Sequence, residues 1–151
     1  MRRAGPLLDL PHGRYEEDEG AARFEFATRA WPQYFALGAS IELLTELGLD
    51  AIQRRVAGLA TRLREALAEL PGARLHTPPA PGWSTGIVTF SLEGVPGRDL
   101  TERLRADWNV VQRAAMMVGS EGGVRISLAC YTSEDEVDLL ARAVKEIAAA
   151  R

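Results

Sequence analysis

Lysine is nearly missing from this chain. Of its 18 basic residues only Lys145 is a lysine, so any chemistry in which an amine captures a carbonyl has a single candidate residue. Cysteine is equally scarce. Cys130 stands alone, which excludes an internal disulfide and fits a reducing, cytoplasmic setting. No second His, Cys or carboxylate motif stands at metal-ligand spacing from His12, so it reads as a solvated loop histidine. There is no excess of positive charge, because the formal net charge is −3, and a nucleic-acid partner is not expected without a basic stripe. No run approaches the roughly 18 apolar residues of a membrane helix. Met1-Arg2-Arg3 is followed by Pro6 and Asp9, which interrupt any apolar signal core. Ser-His-Asp arrangements, zinc spacings and phosphate loops are also missing.

What is present suits one globular domain: 151 residues, 46% hydrophobic and 26% charged, enough to bury a core. Residues 1–22 carry glycines, prolines and the acidic run Glu16-Glu17-Asp18-Glu19 without a hydrophobic period. They read as an irregular N-terminal arm, with the acidic run as a solvated face and not a calcium loop. Residues 23–151 read as the domain proper.

Its first helix runs from Trp31 to Leu47 with apolar residues on several faces, and is expected to be largely buried. Gly48 ends it, and Asp50 with Gln53 offers a capping box for a second helix with the stripe Ile52, Val56, Leu59, Ala60, Leu63, Leu67 and Leu70. Pro71-Gly72 stops that helix, and a proline-rich connection over 77–82 follows. The alternation in 86–92 predicts a strand with Val88, Phe90 and Leu92 on the buried face. Asp99 and Glu102 predict a capped helix ending near Ala106. Strands are expected over 108–113 and 124–129, with Met116 and Met117 packed between them and Cys130 a buried thiol. Ser133-Glu134-Asp135-Glu136 is a capping box opening a last amphipathic helix through Val137, Leu140, Val144 and Ile147. The order predicts an α/β (α+β) fold, a small and mainly antiparallel sheet with helices packed on one face.

Two segments resemble a known family. Arg23-Phe24-Glu25-Phe26-Ala27-Thr28 is similar to the Arg-Phe-Glu-x-Gly-Thr pattern of class V aminotransferases, pyridoxal-phosphate (PLP) enzymes that include isopenicillin-N epimerases and cysteine desulfurases. Val124-Arg125-Ile126-Ser127, then Tyr131 and a capped helix, is similar to the family's Arg-x-Ser segment. The resemblance covers the family's C-terminal domain, the small domain of fold-type I PLP enzymes, and none of its large cofactor domain. It implies pyridoxal 5'-phosphate as cofactor, an amino-acid substrate, and a homodimer or a lysine-bearing large domain as partner.

Within that resemblance Arg125 is implied to bind the substrate's α-carboxylate, for which a planar two-pronged donor on a rigid strand is suited. Thr28 and the amide of Ala27 are implied to contact the cofactor phosphate. Alanine replaces the family's glycine at 27, so Thr28 has an equal claim to be a helix-approach cap. Arg23 and Glu25 read as a structural ion pair. No catalytic residue and no metal ligand is assigned. The family's Schiff-base lysine lies upstream of the Arg-Phe-Glu motif, a position this chain does not contain, and the loop where relatives carry a reactive cysteine here reads Ala114-Ala115-Met116. Two functional classes remain: part of an enzyme that needs a lysine-bearing partner, or a non-catalytic dimerisation or interaction domain.

Overall fold

The computed structural model describes residues 7–16, 20–24, 29–78, 84–118 and 120–150. The chain divides into two compact units, Met1–Leu44 and Thr45–Arg151.

In the first unit the arm is not irregular throughout. β1 (Leu7–Asp9) and β2 (Arg14–Glu16) pair antiparallel, with Leu8 opposite Tyr15 and Asp9 opposite Arg14, and a single 3-10 turn follows at Gly20–Phe24. Three-residue strands are too short to show a hydrophobic period, so main-chain pairing built this hairpin without a sequence signal. Helix α1 (Trp31–Leu47) forms as expected, with Pro32 in its first turn, where a missing N–H costs nothing. Its burial does not follow expectation: no residue of α1 is buried, and Phe35 is 76% exposed. A helix apolar on all sides is ordinarily a core helix; here its large apolar side chains are exposed among the described residues.

In the second unit, Gly48 at φ 85° separates α1 from α2 (Leu49–Ala68), a backbone angle open to glycine. The predicted Asp50–Gln53 box is not formed. Gly48 itself is the N-cap, without a side-chain cap, and its carbonyl accepts from Ile52 N–H at 3.0 Å. Asp50 sits in the first turn, where the helix dipole favours a negative charge. Leu59, Ala60, Leu63 and Leu67 are buried along the predicted stripe.

The remaining elements are β3 (Ala73–Leu75), β4 (Ile87–Leu92), α3 (Gly97–Trp108), β5 (Arg113–Ala115), β6 (Gly123–Ser127) and α4 (Glu134–Ala149). The last four strands form one antiparallel sheet in the order β3-β4-β6-β5. α2, α3 and α4 cover one face, and Val88, Phe90, Val124 and Ile126 fill the core with Leu63, Leu100, Leu104 and Val144. Four α-helices, this four-stranded antiparallel sheet and the separate β1–β2 hairpin are thus the regular elements of the described residues; helices on one face of a small antiparallel sheet are as the patterning predicted, with four strands in place of the three expected.

Three local readings are corrected. β3 carried no sequence signal; it is a short strand between a turn and the proline-rich connection, held by β4. α3 starts at Gly97 with Pro96 as N-cap and no side-chain cap, so Asp99 lies in the first turn and caps nothing. The expected strand over 108–113 is displaced: 108–112 is not extended sheet, and β5 begins at Arg113. α3 continues to Trp108, Asn109 adopts the left-handed conformation at φ 53°, and its N–H donates to the Leu104 carbonyl. Asparagine tolerates that conformation better than other non-glycine residues, and the β-branched pair Val110-Val111 gave a misleading strand pattern. The Ser133 capping box is formed as predicted: Ser133 Oγ accepts from Glu136 N–H at 3.2 Å, and Glu136 Oε2 accepts from Ser133 N–H at 2.7 Å.

Candidate functional site

The face of the sheet away from the helices is polar and cationic. Because Val124 and Ile126 point into the core, the pleat sends Arg125 the other way, where it is exposed. Its register partners are Thr89 on β4 and Arg113 on β5. Arg74 lies opposite Ser91 on the same face. β3, β4, β5 and β6 contain no Asp or Glu.

Beyond β3 the chain stays pinned to β4. His76 N–H donates to Thr89 O at 2.8 Å, Thr89 N–H donates to Thr77 Oγ1 at 2.8 Å, and His76 Nε2 lies 2.8 Å from Ser91 Oγ. A cavity of about 360 Å³ is lined here by His76, Ser84, Thr85, Thr89 and Val118 among others. Arg125 does not line it but is paired with Thr89, which does. The sequence reading missed His76 and Thr77; neither belongs to a motif, and only strand pairing brings them beside Arg125's row.

A second hollow, about 400 Å³, places Arg74 with Ser91, Glu93 and Glu121. A third, about 310 Å³, is lined by Lys145 with Glu69, Leu70 and Pro71. Lys145 belongs to α4, in the helix layer, between the buried Val144 and Ile147 turns that face the sheet. Arg125 is on the sheet's opposite face, so the core separates the chain's one amine from its candidate carboxylate-binding residue.

Thr28, Ala27 and Glu25 lie outside the described residues. Met116 and Met117 are not packed: at 80% and 99% exposure they form the tip of the turn between β5 and β6, because a tight reversal leaves its central side chains nothing to cover them. Cys130 is half-buried and not fully enclosed. Among the described residues no three His, Cys, Asp or Glu side chains could hold a metal ion, and no helix is long and apolar enough to cross a membrane.

The carboxylates with perturbed pKa values lie elsewhere, on α4. Hydrogen bonds from Arg55 hold the Glu134 carboxyl down to about 2, and those from Arg62 lower Asp138. Both pairs join α2 to α4 and are structural.

The comparisons with known proteins agree on the family and on the fold. The aminotransferase class-V family model matches residues 10–140, and the chain belongs to that family. It is 36% identical over 134 residues to an isopenicillin N epimerase of Streptomyces clavuligerus, covering 87% of this chain and 33% of that protein. It is 27% identical over 145 residues to a probable cysteine desulfurase of Synechocystis, covering 91% and 32% respectively. Among solved structures, the cysteine desulfurase of Thermococcus onnurineus superposes with a TM-score of 0.81 at 26% identity, over 97% of this chain and 38% of that one. The chain therefore spans about a third of the length of the curated relatives it matches.

Proposed function

We propose that the chain is the C-terminal part of a PLP-dependent enzyme acting on amino acids, a transaminase, epimerase or lyase, with no turnover of its own. The family is PLP-dependent, and residues 23–151 take the part of its C-terminal domain, with 1–22 as an arm. The single observation carrying the proposal is Arg125: an exposed guanidinium fixed on a strand between two core residues, in a sheet whose four strands contain no carboxylate.

In this reading Arg125 receives the substrate α-carboxylate through two parallel N–H donors, and the strand's rigidity fixes the orientation of the α-carbon. Thr28 and the amide of Ala27 donate to the cofactor phosphate. PLP, when bound, supplies the electron sink for a carbanion at that carbon. The described residues do not fit covalent attachment of the cofactor, since Lys145 is across the core from Arg125, and no proton transfer is assigned to this chain. A lysine-bearing large domain or a second copy completes the site.

The second reading, a non-catalytic dimerisation or interaction domain, is favoured by α1. A contiguous apolar surface including Trp31, Tyr34 and Phe35, each more than half exposed, is the mark of a missing partner. It serves either reading, so cofactor chemistry must separate them.

The test is titration of the purified chain with PLP, followed by absorbance. No Schiff-base band is expected with the chain alone, and one should form when a lysine-bearing family segment is supplied. A stoichiometric band from this chain alone, lost in Lys145→Ala, overturns the proposal. A chain that never contributes to cofactor chemistry with any such segment supports the interaction domain.

A further inference from the structure

Arg113 and Arg125 are directly opposed across β5 and β6, and paired residues share a face of the sheet. Both are exposed, and among the described residues neither has an ion-pair or side-chain hydrogen-bond partner. Like charges placed directly opposite each other destabilise a sheet. Three other arginines are paired with acids, Arg55 with Glu134, Arg62 with Asp138 and Arg98 with Glu102, and none of those three stands opposite a second arginine in a strand pair. The chain has acids to spare, at a net charge of −3. Arg74, the third arginine of the face, shares its hollow with Glu93 and Glu121. Among the described residues, Arg113 and Arg125 are the two arginines of this face that stand directly opposite each other, on strands that contain no carboxylate.

We infer that Arg113 and Arg125 form one clamp for a ligand with two anionic groups. Resting on the reading of Arg125 given above, the substrate class is an amino acid bearing a second carboxylate, its α-carboxylate on Arg125 and its side-chain acid on Arg113. A single carboxylate leaves one of the two positive charges uncompensated. Two carboxylates on a short chain neutralise both, and the β-carbons of a cross-strand pair, about 5 Å apart, allow long guanidinium arms to spread to that separation.

The experiment uses the whole chain at low ionic strength, titrated with succinate and with butyrate, which has the same carbon count and one carboxylate. Binding is read from backbone amide shifts of β5 and β6. Succinate is expected to bind about three- to fivefold tighter, the scale of one exposed ion pair. Arg113→Gln removes that preference and leaves butyrate binding unchanged; Arg125→Gln weakens both ligands. Arg74→Gln, the same change of charge on the same face, leaves the preference intact. Equal binding of the two ligands, or equal weakening of both by Arg113→Gln, overturns the second-anion assignment while the Arg125 reading stands. Loss of the preference in Arg74→Gln also overturns it, as the effect of the general field. Butyrate binding that survives Arg125→Gln, or no shift with either ligand, overturns the Arg125 reading and the clamp together. All three positions are exposed, and unchanged far-UV circular dichroism checks the fold of each variant.

Discussion

Gly97, the first residue of α3, lies directly against Gly123, the first residue of β6. A β-carbon at 97 would stand 2.8 Å from the Gly123 α-carbon, and Gly97 N–H donates to the Glu121 carbonyl at 2.9 Å. This contact seats α3 on the strand that carries Arg125.

Gly97→Ala is therefore expected to destabilise the fold by about 1–3 kcal/mol, the usual cost of overpacking. Gly58→Ala is the control. Its added methyl meets open space inside α2, and replacing a mid-helix glycine there should stabilise by about 0.5–1 kcal/mol. Urea unfolding midpoints of the two variants should move in opposite directions.

Phe90 is fully buried between the sheet and the helix layer. Phe90→Ala should cost about 3–5 kcal/mol, lost apolar burial plus the cavity left behind. Chemical denaturation measures it; a loss below about 1 kcal/mol would mean that the helix layer does not pack on β4 as described.

Ser133 closes the N-terminus of α4, exchanging hydrogen bonds with Glu136. Ser133→Ala removes the acceptor for Glu136 N–H and should cost about 0.5–2 kcal/mol. Ser133→Gly should recover part of that loss, because glycine is a better N-cap than alanine; thermal melts of the pair report the difference.

Arg55 and Arg62 tie α2 to α4 through Glu134 and Asp138, the latter pair at 2.7 Å on both nitrogens. Glu134 has a folded pKa of about 2, below the usual carboxylate value of roughly 4.3. A depressed folded pKa gives stability that is present above the unfolded value and lost as pH falls through the folded one. Stability should drop between roughly pH 4.3 and pH 2, and Glu134→Gln should flatten part of that drop. Salt should weaken it, since these groups face solvent. A melting temperature with the same pH profile in the parent chain and in Glu134→Gln would rule out this linkage.

How much was legible varies from element to element. The stripe on α2, the alternation in β4 and the Ser133 box each follow from a local rule, and each is found in place. β3 and the hairpin at 7–16 were invisible because three residues of extended chain carry no periodicity. Capping boxes at Asp50 and Asp99 failed because chain direction at Gly48 and Pro96 had already set where the helices begin. The exposed Met116 and Met117 resemble core residues by type alone. His76 reached the candidate face only through its pairing with Thr89.

Sequence alone determined the helix stripes, the inward face of β4 and β6, and hence that Arg125 must point away from the core, since alternation in a strand leaves it no other side. It also determined that only one amine exists. Tertiary structure alone decided that Arg113 stands opposite Arg125, that Lys145 lies across the core from both, and that no residue of α1 is buried. Register, sheet order and burial come from contacts between distant segments, and no local pattern encodes them.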